Sequence, residues 1–117
     1  MSRVLLAEDE FLIRVVMVDA LSAIGIDCIE AATGQAALDV VTGDGPLSAI
    51  IVDIGLPDMS GERVIEAAAR HRPDVPIIRC SGATAPSAIA GPKVHVFPKP
   101  YSAVELAKFV ASLIGAG

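Results

Sequence analysis

Carboxylates collect at two points of the sequence. Glu8, Asp9 and Glu10 follow the apolar run Val4 to Ala7, and Asp53 follows Ala49 to Val52 in "AIIVDIGLPDMSG". A charge placed at the end of a buried run needs a partner or a metal, because an isolated buried charge is costly. If the two runs lie side by side, Glu8, Asp9 and Asp53 meet, and three carboxylates so close repel one another without compensation. An all-oxygen, partly open set of ligands suits Mg²⁺, which keeps waters and shares a ligand with a phosphate. Two groups of another character also stand at the ends of apolar runs. Ser81 follows Val75 to Cys80, and Lys99 follows Val94 to Phe97. A hydroxyl donor and an ammonium beside such a pocket would stabilise a phosphoryl group during in-line transfer, a reaction that depends on position and charge neutralisation. The acceptor would be a carboxylate, and Asp53 is the candidate nucleophile.

Each residue also has a plainer reading. Asp53 is a common residue for the turn before a helix. Glu8 and Asp9 can cap a following helix and complement its dipole. Ser81, in "CSGAT", can be an ordinary turn residue, and Lys99 a solvated charge. The chemical reading rests on the four strand ends jointly.

The elements that would position these groups alternate. The apolar runs Val4–Ala7, Cys28–Ala31, Ala49–Val52, Val75–Cys80 and Val94–Phe97 are continuous, as in strands of a parallel sheet buried on both faces. Ile50, Ile51, Val52, Ile77 and Ile78 add β-branched enrichment. Between them, Phe11, Leu12, Val15, Val16, Leu21 and Ile24 fall near helical spacing, and Gly25 can close that helix. Gln35–Val41 gives a second helix and Ser60–Arg72 a third. The third ends in cations that suit the helix dipole and is stopped by Pro73. Ser102–Ile114 gives the last, opened by a Ser102/Glu105 capping box. Between Ser81 and Lys99, Gly82, Pro86, Gly91 and Pro92 leave about one turn near Ser87 to Ala90, so the fourth helix is expected to be short or irregular. The order predicts an α/β fold, a doubly wound parallel sheet with right-handed crossovers. Ligands of such sheets bind at the carboxyl ends of the strands.

Composition narrows the function classes. The 117 residues suffice for one domain, expected over residues 1–117. Arg14 and Asp19 interrupt the longest apolar stretch, and "MSRVLLAEDE" carries no leader pattern, so a cytoplasmic protein without a membrane span is expected. A net charge of −5 argues against direct DNA binding, and the lack of Trp argues against a base-stacking surface. Cys28 and Cys80 have no metal spacing and are expected to be buried and reduced. His71 and His95 are expected to be structural or solvated.

With "VLLAEDE", "IIVDIGLPDMSG", "IIRCSG" and "FPKPYS" in this order, the chain resembles a receiver domain of the two-component response regulators from Arg3 to Leu113. The resemblance implies a flavodoxin-like five-stranded sheet of order 2-1-3-4-5. It implies phosphorylation of Asp53 by a histidine kinase or a histidine phosphotransfer protein. Glu8 and Asp9 match the Mg²⁺-holding pair, with Gly55 adding its backbone carbonyl. Ser81 matches the switch hydroxyl, and Lys99 the lysine on the phosphoryl group. Lys99–Pro100 matches a bond that is cis in the family. Pro57 and Gly61 fit its turn into the third helix. Two departures stand out: the shortened segment between Ser81 and Lys99, and Val96 where the family usually has a switch aromatic. Phe97 should face the other side of its strand. Gly55 and Ala83 leave the site open to solvent.

Nothing but "GAG" follows the last helix, which reads as a stand-alone receiver signalling through a protein output target, though a receiver excised from a longer chain would look the same. A receiver fold that no longer uses phosphorylation is the alternative. A flavodoxin-like cofactor binder would need a phosphate cradle where "EDE" stands. A hydrolase with an Asp nucleophile would need a separate general acid.

Overall fold

The computed structural model describes residues 2–81, 94–98 and 102–114, with Ser81 and Pro98 by backbone alone. The elements are β1 (Ser2–Ala7), α1 (Phe11–Ser22), β2 (Ile26–Ala31), α2 (Gly34–Val41), β3 (Ala49–Asp53), α3 (Gly61–His71), β4 (Ile77–Ser81), β5 (Val94–Pro98) and α4 (Ala103–Ile114). All strand pairs are parallel, in the order β2-β1-β3-β4-β5. This is the flavodoxin-like, doubly wound sheet the resemblance implied. The irregular helix expected near Ser87 to Ala90 falls outside the described residues, so the last helix is α4.

The continuous apolar strands have a physical cause. Val4 and Leu6 of β1 face α1 and α4, whereas Leu5 and Ala7 face α2 and α3. Every residue of β3 is buried, so alternation of side chains gives each face its own apolar layer. β2 lies at the edge and is mixed, with Asp27 and Glu30 exposed.

α1 departs from the expected pattern. Of the six apolar positions picked out by spacing, only Leu21 reaches the core, where Met17 joins it. Phe11 is 64% and Leu12 75% exposed, and Val15, Val16 and Ile24 are exposed as well. The helix is apolar nearly all round, so spacing alone did not choose the buried side. Gly25 does close it, at φ 80°, with its N–H donated to Ser22 O at 3.0 Å.

α3 ends on the cations expected for its dipole, with Arg70 and His71 in its last turn. Arg70 pairs with Glu66 one turn back at 3.2 Å, an exposed pair of small worth. Arg72 instead crosses to α2. Its guanidinium donates to the carbonyls of Val40, Val41, Gly43 and Gly45 at 2.6–3.2 Å, tying down the last two carbonyls of α2 and two in the loop after it.

Both cysteines are free. Cys80 is buried, but Cys28 is only partly so, a correction to the expected pair of buried thiols. β1 and β3 separate their strands, a gap of roughly 14 Å at ordinary strand spacing, too wide for a disulfide. Burial first, then the carboxylates of Glu30 and Asp27, raise the Cys28 thiol to about 11, so it stays protonated and unreactive. His95 is structural, edge-on to Phe109 with ring centres 5.7 Å apart. Phe97 packs on the same Phe109 at 5.4 Å, while Val96 points the other way and is exposed.

Candidate functional site

Register brings the acids together. β1 and β3 are neighbours, with Ala7 opposite Val52, so Glu8 and Asp53 leave adjacent strand ends side by side. Glu8 remains tied to the sheet, its N–H donated to Ala31 O at 3.0 Å. Glu8, Asp9 and Asp53 each offer a carboxylate oxygen, all within 4.8 Å of one another. Glu8 and Asp53 are buried, the latter 6% exposed, and Asp9 is exposed. The site is therefore anchored on its inner side and open on its outer one.

The local hydrogen bonds bear on the plainer readings. Glu8 Oε2 accepts the N–H of Glu10 at 3.1 Å; Glu10 itself stands at the N-cap of α1, without a side-chain cap. Asp53 Oδ1 accepts the N–H of Gly55 at 3.4 Å, a long local contact. α3 is capped by Ser60, which accepts from Glu62 N at 3.2 Å. The Asp53–Gly55 contact is that of an Asx turn, as the plainer reading of Asp53 expects, while the cap of α3 falls to Ser60.

The loop after Asp53 folds back tightly. Gly61 N–H donates to Ile54 O at 2.9 Å. A Cβ on Gly61 would fall onto Asp53 O and meet Ile54 Cα at 2.8 Å and Val52 Cγ1 at 2.9 Å. These are mainly backbone atoms, which cannot swing aside. Gly61→Ala is therefore expected to destabilise the fold by about 2 kcal/mol, overpacking outweighing the helix propensity gained. A urea midpoint unchanged from wild type would refute this.

The same loop holds α2. Asp58 accepts the N–H of Gly34 at 2.7 Å and of Gln35 at 3.0 Å, capping a helix it does not precede in sequence. These two bonds hold its carboxyl below the ordinary Asp range. A depressed folded value means stability that is complete above about pH 4 and is lost as the pH falls through that lower value. The stability gap between wild type and Asp58→Ala should therefore shrink in acid. A gap constant from pH 7 to pH 2 would contradict the assignment.

The remaining predicted groups are placed only in part. Ser81 ends β4 opposite Pro98, on the same rim, and its side chain lies outside the described residues. Lys99, the Lys99–Pro100 bond and the segment 82–93 lie outside them too. Gly55 stands next to the acids, exposed at the turn after β3.

Two features escaped the sequence reading. Arg14 donates through Nη1 to the carbonyls of Glu8 and Asp9 at 3.0 and 3.3 Å. Arg79, in β4, is 4% exposed and pairs with Glu62 at 2.7 Å. Each had a signal: a cation in the first turn of α1, where the helix dipole opposes it, and a charge within an otherwise apolar strand.

Chemically, three carboxylate oxygens on a half-open rim fit a hard divalent cation. Comparison with known proteins identifies the family and the fold. Residues 4–111 match the response regulator receiver domain family. The chain is 33% identical over 116 residues to the sensor kinase CckA of Brucella abortus, covering 95% of this chain and 12% of that protein. It thus spans about an eighth of that relative's length. Its fold matches a CheY-like response regulator receiver domain protein from Methanospirillum hungatei with a TM-score of 0.88, at 24% identity, covering 99% of this chain and 95% of that one. It also matches the receiver domain of sensor histidine kinase PA1611 from Pseudomonas aeruginosa with a TM-score of 0.84, at 23% identity, over 97% and 98% of the two chains. That structure has a magnesium ion coordinated in the active-site cleft.

The sheet is of the flavodoxin-like class, and the chain belongs to the response regulator receiver family. Among the described residues no helix is long and apolar enough to cross a membrane.

Proposed function

We propose that residues 1–117 act as one receiver unit in which Asp53 takes a phosphoryl group from a phosphohistidine on a histidine kinase or a histidine phosphotransfer protein. The observation that carries this reading is the convergence of Glu8, Asp9 and Asp53 within 4.8 Å at the ends of β1 and β3. Glu8, Asp9, Asp53 and the Gly55 carbonyl would hold Mg²⁺, which would supply charge neutralisation for the incoming phosphoryl oxygens. A carboxylate oxygen of Asp53 attacks phosphorus in line, the phosphorus–nitrogen bond breaks, and the imidazole regains its electron pair. Buried β3 backbone holds Asp53 in place, so little orientation is lost on reaction. Ser81 and Lys99 would complete the contacts to the phosphoryl group. The only reactions of the chain itself would be its own phosphorylation and dephosphorylation, so it signals rather than turns over a substrate.

Output would pass through a protein target. The exposed apolar side of α1 supports contact with proteins, and the acidic balance disfavours direct DNA binding. A cytoplasmic setting follows from this partnership. The test is intact mass after incubation with acetyl phosphate. One phosphoryl adduct that forms with Mg²⁺ and not with a chelator supports the reading. No adduct, with beryllofluoride also silent, would turn the chain into a receiver fold that works without phosphorylation.

A further inference from the structure

We propose that Arg14 is a positioning residue for the Mg²⁺ site, fixing the backbone from which Glu8 and Asp9 project; this rests on the reading of those acids as the metal set. Arg14 sits in the first turn of α1. Long side chains on a helix lean toward its N-terminus, so the guanidinium returns over the loop it has just left. One nitrogen, Nη1, donates to Glu8 O at 3.0 Å and Asp9 O at 3.3 Å. Nε donates to Glu30 Oε1 at 3.3 Å, at the end of neighbouring β2. The guanidinium carbon lies 5.6 Å from the centre of the Phe11 ring. The side chain is only 15% exposed, so these contacts hold it in one place.

The contacts are to carbonyls of the loop, not to its carboxylates. Two consecutive peptide groups are thereby oriented, and with them the directions in which Glu8 and Asp9 leave the chain. Helix stability does not explain the residue, because a cation in the first turn opposes the dipole. Simple charge compensation makes the opposite prediction from positioning. A cation near three carboxylates repels Mg²⁺, so on charge alone its removal would tighten Mg²⁺ binding. If Arg14 positions the loop, its removal weakens binding, since groups that orient metal ligands commonly carry tenfold effects on affinity.

The experiment is calorimetric titration of the full chain with MgCl₂, without any phosphodonor. Arg14→Met is expected to weaken Mg²⁺ about tenfold. Arg14→Lys keeps the charge but loses the planar fork, and should also weaken it. Glu30→Gln leaves the carbonyl contacts in place and should change it little. Amide exchange of Glu10, whose N–H is held by Glu8 Oε2, should speed up in both Arg14 variants. Affinity in Arg14→Met equal to or tighter than wild type would overturn the proposal. So would loss of the folded state in both Arg14 variants, which would make Arg14 a residue of the fold. A wild-type chain that binds no Mg²⁺ would instead remove the metal site itself, and the phosphoacceptor reading with it.

Discussion

Asp53→Asn is expected to lose the phosphoryl adduct completely and, without Mg²⁺, to be more stable than wild type. Both effects come from one carboxylate. The amide has the shape of the acid but is a poor nucleophile, so no phosphorus–oxygen bond forms at that position. It also removes a charge from a group of three whose oxygens lie within 4.8 Å. Relief of like-charge repulsion at a half-open rim is worth about 1 kcal/mol, or roughly 4 °C in Tm for a chain of this size. Adding Mg²⁺ should reverse the order. Wild type gains about 2.7 kcal/mol at a hundred times its Kd, while the variant keeps only two carboxylates and gains less. Thermal melts of both proteins with and without Mg²⁺, beside the mass measurement, check the two effects separately. A variant that lost the adduct but melted as wild type in all conditions would mean that Asp53 is not part of a shared charge cluster.

The second large effect is expected away from the reacting rim. Arg79 projects from β4 and is buried, and Glu62 in the first turn of α3 reaches it at 2.7 Å. Taking away the carboxylate leaves a guanidinium in an apolar layer without this partner. Breaking such a pair costs about 3 kcal/mol or more, so Glu62→Ala should lower Tm by roughly 10 °C. Replacing both residues, as Glu62→Met with Arg79→Met, should recover much of the loss, because two well-packed apolar side chains avoid the desolvation of both charges. The double-mutant cycle decides the matter. Additive losses would show that the pair is not coupled and that each residue is held by something else.

Much of this molecule could be read from its sequence. The continuous run Ala49 to Val52 and the halt at Asp53 describe a central strand meeting a rim, and β3 is just that. Glu8 and Asp9 were placed beside it by the same logic, and parallel pairing of Ala7 with Val52 delivers the proximity. What could not be read depends on contacts between elements distant in the chain. Asp58 looks like part of a turn, yet it caps α2, more than twenty residues earlier. Arg72 looks like a cation suited to its own helix, yet it serves the end of α2. In α1 the difficulty was different. Apolar residues lie on both sides of that helix, so periodicity had no contrast to work with, and packing alone selected Met17 and Leu21.

The edge position of β2 has a consequence for self-association. An outer strand offers unpaired backbone groups to any other strand that approaches. Here that strand carries Asp27 and Glu30 at the surface. Two copies meeting edge to edge through β2 would set carboxylates against carboxylates, and a chain of net charge −5 adds a general repulsion. Growth of the sheet from this side, the route to fibrous aggregates, is thus opposed by charge.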